Sequence, residues 1–220
     1  MGVKLGEGID ARLADGRQYR DINVSDFEHR AEEDGQMIVE GYATTFNQPY
    51  ELWKEPGFVV MEQIDRRAFD RCDMSDVIMQ YNHEGRVFAR TGNGTLSVSP
   101  DDVGLRTRAR LDGTELGRQV WNEIDGGYTT KMSFGFRVRE RERTERENTE
   151  TGETEILITI TDIEKLYDVS AVSIPANSGT SISSRAFAEG VISEVKQELL
   201  DREEKERQKK RIKILMEVNK

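Results

Sequence analysis

Three side chains in this sequence have the types that acyl transfer needs, in the chain order His83, Ser133, Asp168. A serine hydroxyl is a weak nucleophile until a base takes its proton, and an imidazole titrates near neutral pH. A third group behind the imidazole fixes its tautomer and stabilises the imidazolium. Ser133 lies in Thr129-Thr130-Lys131-Met132-Ser133-Phe134-Gly135-Phe136, where apolar residues alternate with others. That alternation predicts a strand, with Phe134, Phe136 and Val138 on one face and Ser133, Gly135 and Arg137 on the other. Gly135, having no side chain, would let a substrate backbone come close. His83 stands in Asn82-His83-Glu84-Gly85, at the mouth of the short apolar run 77–81, where a strand end holds a reactive group rigidly. Asp168 is an acid among apolar neighbours in the predicted strand 167–174, and a buried acid needs a partner. Each residue also has a plain structural reading: a satisfied sheet hydroxyl, a histidine bonded to a nearby carbonyl, an edge acid in water. Spacing alone does not bring the three groups together.

The bulk numbers narrow the alternatives. A chain of 220 residues holds one domain of ordinary size plus a tail, or two small ones. With 35% hydrophobic and 34% charged residues, a compact core is expected over part of the length and solvated segments elsewhere. A net charge of -10 opposes general nucleic-acid binding, leaving only a weak contact through Lys209-Lys210-Arg211 in the tail. No apolar run reaches the roughly 18 residues of a membrane span, and the N-terminus has no apolar signal core, so neither membrane nor secretion is expected. The single cysteine, Cys72, fits a reducing compartment. Two histidines and one cysteine nearly exclude a Cys/His zinc site. His29, between Glu28 and Arg30, reads as a solvated surface residue, which leaves His83 for chemistry.

The elements that must position these groups can be read in order. Residues 1–36 are charged and glycine-rich, a loosely ordered arm with one short strand near 19–24. Residues 37–46 and 58–64 read as strands. Asp65 then caps a short helix over 66–71 with Ala68 and Phe69 inward. Residues 94–98 and 104–111 form a hairpin around Pro100-Asp101-Asp102. The arginines at 106, 108 and 110 share one face of it, solvated or aiding an oxyanion. A helix starts at Thr114 with Leu116, Val120, Trp121 and Ile124 as its apolar stripe, and stops at Asp125-Gly126-Gly127. Gly117 inside it is unfavourable by about 1 kcal/mol against alanine. Residues 137–163 read as a long protruding hairpin whose Arg/Glu-rich tip is mobile. The strand-rich core domain thus runs over 37–177, followed by a linker at 178–188 and a charged helical tail at 189–220. In that tail Val191, Ile192, Val195 and Leu199 share a face, and residues 201–211 have no apolar face at all.

An ordered set of short motifs adds a family resemblance over roughly residues 37–177. The pieces are Glu40-Gly41-Tyr42-Ala43 with Phe46, Ala68-Phe69, Asn82-His83-Glu84, and the hairpin ending at Gly104-Leu105. Met132-Ser133-Phe134-Gly135-Phe136 follows, then Asp168-Val169-Ser170 with Pro175-Ala176-Asn177. In this order they resemble the prohead (procapsid) maturation proteases of tailed bacteriophages. The resemblance implies a mainly β fold with flanking helices (α+β), a compact antiparallel β-barrel similar to herpesvirus assemblins. It implies a serine endopeptidase needing no cofactor, with Ser133 as nucleophile and His83 as base. Asp168 falls where such proteases commonly have glutamate, so the third member stays open between Asp168, Glu164 and Asp162. Arg66-Arg67 also replaces a usual Pro-Gly before Ala68-Phe69. The implied partners are the major capsid protein with its scaffold segment, and further copies of this chain. The implied place is the host cytoplasm, inside the assembling procapsid. Self-cleavage is expected near the linker, between Ser178 and Ala188. Two other readings remain: an inactive scaffolding or capsid-interaction protein with the same fold, and a cysteine peptidase using Cys72 with His83.

Overall fold

A computed structural model describes residues 16–22, 28–31, 35–172 and 182–218. Most of the expected arm over 1–36, the segment 173–174 of the last predicted strand, Pro175-Ala176-Asn177 and the first part of the linker at 178–181 lie outside the described residues. Among the described residues the fold is mainly β with two α-helices. In order the strands are β1 (Gln18–Ile22), β2 (Glu28–Ala31), β3 (Met37–Thr45), β4 (Tyr50–Glu55), β5 (Phe58–Ile64), β6 (Ile78–Tyr81), β7 (Glu84–Arg90), β8 (Leu96–Pro100) and β9 (Gly104–Arg110). Helix α1 (Glu115–Asp125) follows, then β10 (Lys131–Glu147), β11 (Thr154–Val172) and helix α2 (Ile182–Val218).

The spine is β11, a 19-residue strand rich in β-branched residues, which favour a pleated, buried surface. One side of it pairs antiparallel with β10 along almost the whole length. The other side takes two partners in parallel: β5 along Thr154 to Ile160 and β6 along Asp168 to Ala171. Along its length β11 contributes to two cores in succession. Ile156 and Ile158 pack with Leu52 and Val60 beneath Ala188, Val191, Ile192 and Val195 of α2. Ile160, Ile163, Leu166, Val169 and Ala171 join the main core with Phe134 and Phe136 of β10 and with Val39, Leu105 and Ala109 of the second sheet. Register shifts between Gly135 and Arg141 mark bulges in the β10–β11 pair, and bulges turn a strand so that successive stretches face different neighbours.

The closed antiparallel barrel expected from the sequence is not found. Among the described residues the strands form a seven-stranded mixed sheet, β1-β10-β11-β5-β4 with β6 and β7 branching from β11, and a four-stranded sheet, β2-β3-β9-β8. Closure requires every strand to have two partners, but β1, β2, β4, β7 and β8 each pair with one. The hairpin of β10 and β11 does not stand free either, because β5 covers the β11 edge from Thr154 onward. Residues 66–71 form successive turns rather than a helix. Their bonds run Ala68 N to Asp65 O, Asp70 N to Arg67 O and Cys72 N to Phe69 O. Asp65 caps the first through the Arg67 N–H, and Ala68 and Phe69 do point inward.

Helix α1 begins at Thr114, whose hydroxyl accepts from Gly117 N at 2.9 Å. Gly117 has a packing reason: a Cβ there would stand 2.3 Å from the carbonyl oxygen of Leu111. Helix α2 starts inside the expected linker and docks on β4, β5 and β11 through Ala188, Val191, Ile192 and Val195. Arg143 of β10 pairs with Glu198 at 2.7 Å and Lys196 with Glu55 at 2.6 Å. Leu199, expected on the docked stripe, is 39% exposed beyond the sheet. Among the described residues no helix is long and apolar enough to cross a membrane.

Candidate active site

His83 is placed by a turn. Tyr81 and Glu84 pair across β6 and β7, leaving Asn82 and His83 as a two-residue connection. Both have positive φ, 49° and 61°, as a type I′ hairpin turn demands. Asparagine enters this region readily; histidine does so at some conformational cost. The Asn82 N–H donates to the Ala171 carbonyl at 3.0 Å, which ties the turn to the end of β11. Ser133 is near the start of β10, opposite Ser170 of β11 on one side and Asp21 of β1 on the other. Asp168 is on β11 opposite Gly135. The register therefore sets Ser133, Gly135, Asp168 and Ser170 on one face of the sheet, directly beneath the turn.

The three side chains meet in a line. His83 Nε2 is 2.6 Å from Ser133 Oγ, and His83 Nδ1 is 2.5 Å from Asp168 Oδ1. A carboxylate only accepts, so the Nδ1 proton faces Asp168 and leaves Nε2 free to accept from serine. Ser170 Oγ also donates to Asp168 Oδ1, at 2.9 Å. Asp168 is 1% exposed and Ser133 0%. Buried carboxylates need such partners, and this one has both.

Gly135 has a different use from the one its sequence context suggests. A Cβ there would lie 2.3 Å from Asp168 Oδ2 and 2.8 Å from Tyr19 Cε1. The glycine makes room for the carboxylate, which lets the shorter acid sit opposite it and still reach the imidazole. Gly135→Ala is expected to push Asp168 out of line, lowering stability by about 1–3 kcal/mol and any hydrolytic rate by roughly 100-fold. Thermal melting together with peptide cleavage checks both, and a wild-type rate would show that the carboxylate does not depend on this space.

The other acids lie elsewhere. Asp162 pairs with Arg139 at 3.0 Å and with Arg71, and Glu164 is 3.9 Å from Arg137. Arg106 and Arg108 pair with Glu40 at 2.8 and 2.9 Å. Burial pushes the Cys72 thiol up to about 12, so it is not a thiolate near neutral pH.

Four residues to which the sequence reading gave no role at the site also belong to this region. Ser170 is one. Tyr19 of β1 lies against His83, with ring centroids 4.4 Å apart. The Ser133 hydroxyl donates to the Arg20 carbonyl at 2.9 Å. The Arg20 side chain reaches Glu62 of β5. Glu62 did carry a signal, since it is an acid inside the apolar run 58–64.

Comparison with known proteins gives a family and a similar solved structure. The sequence model described as caudovirus prohead serine protease matches residues 25–198. That range contains His83, Ser133 and Asp168, and it begins after β1. Among solved structures, that of the bacteriophage T4 capsid assembly protease is similar with a TM-score of 0.37 and 12% identity, covering 71% of this chain and 96% of that one. No curated protein matches the sequence.

Proposed function

The chain belongs to the caudovirus prohead serine protease family, and from that membership we propose that it is a serine endopeptidase that cleaves coat or scaffold protein, and itself, during procapsid maturation. The observation that supports this most is the hydrogen-bonded line from Asp168 through His83 to Ser133. In this mechanism His83 Nε2 takes the hydroxyl proton as Ser133 Oγ adds to a peptide carbonyl. Asp168 holds the imidazolium, which then passes the proton to the leaving amine as the acyl-enzyme forms. Water, deprotonated by the same imidazole, releases the acyl group. Backbone N–H donors near the serine are the expected stabilisers of the oxyanion. The partners in this proposal are the major capsid protein with its scaffold segment and further copies of this chain, and the place of action is the interior of the assembling procapsid. The likeness to herpesvirus assemblins belongs to the same proposal.

One observation favours the second reading, an inactive interaction protein: Ser133 has no exposed surface. Co-expression of the full chain with the coat protein of the same virus separates the two. Shortened coat protein, and modification of Ser133 by a fluorophosphonate seen by mass spectrometry, are the results expected for a peptidase. Intact coat protein and an unmodified serine overturn that assignment.

A further inference from the structure

Strand β1 covers the serine in the manner of a bound peptide. It pairs antiparallel with β10, Gln18 opposite Phe136 through Ile22 opposite Met132. Extended peptides commonly bind by adding a strand to a sheet edge, with backbone bonds giving affinity and side-chain pockets giving selectivity. Here the backbone carbonyl that meets Ser133 Oγ is that of Arg20. The oxygen accepts the serine proton, so it points toward the nucleophile and competes with His83 Nε2 for the one hydrogen that the hydroxyl has. In a productive complex that oxygen would turn to the oxyanion donors and the carbon would face Oγ. β1 therefore occupies the edge without presenting a bond in position to be cut.

The Arg20 side chain goes to the opposite face, where a pocket receives it. Arg20 and Glu62 are each 1% exposed. Arg20 Nε is 2.5 Å from Glu62 Oε1, Nη2 is 2.9 Å from Glu62 Oε2, and Nη2 also donates to Gln18 Oε1 at 2.8 Å. The Tyr50 hydroxyl donates to Glu62 as well. The guanidinium carbon is also 5.7 and 5.9 Å from the ring centroids of Phe136 and Phe187. Planar, bidentate recognition of this kind is specific for a guanidinium. A buried pair of this sort contributes little net stability compared with apolar packing, so its presence beside a reactive serine calls for another reason.

We propose that the β10 edge now filled by β1 is the substrate-strand site, and that Glu62 is its specificity residue, receiving an arginine side chain from the acyl side of the cleaved bond. The inference rests on the peptidase reading above. Arg20 holds the place of that substrate side chain, and β1 must leave before a peptide enters.

Two peptidyl diphenyl phosphonates test it, one carrying arginine and the other citrulline, whose neutral urea has nearly the same shape. Each is added to the full chain, and the rate of labelling at Ser133 is followed by mass spectrometry. The arginine probe is expected to label about 10- to 100-fold faster, as loss of a charged hydrogen-bonded pair predicts. In Glu62→Gln the two rates should converge, a ratio that a purely structural role of Glu62 would leave unchanged. In Arg20→Ala the arginine probe should label faster than it does in the unaltered chain. Equal rates for the two probes on the unaltered chain, a comparison that needs no variant to fold, overturn the inference alone. So does a preference for arginine that survives Glu62→Gln. No labelling of Ser133 by either probe or by a small fluorophosphonate overturns the peptidase reading, and this inference with it.

Discussion

Replacing Ser133 by alanine is expected to remove cleavage almost entirely, by about a millionfold where the full activity can be measured. The change deletes the one oxygen that His83 Nε2 addresses at 2.6 Å. It should cost little in folding. The hydroxyl is buried, but its bonds go to His83 and to the Arg20 carbonyl, and that carbonyl loses only a side-chain donor. Melting temperature and the amount of soluble chain should stay close to wild type while processing of the coat protein stops. Processing that continues in Ser133→Ala would move the nucleophile elsewhere.

Asp168→Asn is expected to slow cleavage by about 10^4-fold with the fold intact. The amide has nearly the shape of the carboxylate, and a nitrogen in the place of Oδ1 can donate its second N–H to Ser170 Oγ, so the space opposite Gly135 is filled as before. What changes is the proton on the ring. An asparagine N–H turned toward Nδ1 makes that nitrogen the acceptor and puts the hydrogen on Nε2. A ring protonated there cannot take the serine proton. Rates of peptide cleavage for Asp168→Asn beside Asp162→Asn and Glu164→Gln check the assignment. A large loss in either of the last two, with Asp168→Asn near wild type, would reassign the acid.

Much of the site was legible because its parts obey local rules. The alternation around Ser133 is the pleat of β10, and the acid among apolar neighbours at 168 is a buried acid with partners. The turn that carries His83 was visible as a strand end, but its two positive φ angles were not, because the usual signal for such a turn has glycine in second place, where this chain has histidine. Strands β4 and β7 escaped notice for a plain reason. Tyr-Glu-Leu-Trp-Lys-Glu buries only Leu52 fully, and Glu84 to Val87 lie exposed, so neither shows a buried stripe. Residues 66–71 have the capping acid of a helix but only one pair of inward residues, too few to hold a helix against turns. The parallel partners of β11 are long-range pairings, and no local pattern specifies them. Gly135 and Gly117 could be seen as glycines, but what each makes room for, a carboxylate and a carbonyl, comes from other parts of the chain.

The connection between β6 and β7 has no slack. Its two residues are both committed, one to the bond with Ala171 and the other to Asp168 and Ser133. An inserted residue there would rotate the imidazole off its bearings, since hairpin length dictates turn type. The β10–β11 connection is the opposite case. Its bend at residues 148–153 is largely exposed, is held by Asn148 through local bonds, and stands 14 strand residues from Ser133, roughly 45 Å along the sheet. Purification handles, fluorophores or grafted loops belong at that bend, where the added length meets solvent. The histidine hairpin should be left at its native length in any redesign of the chain.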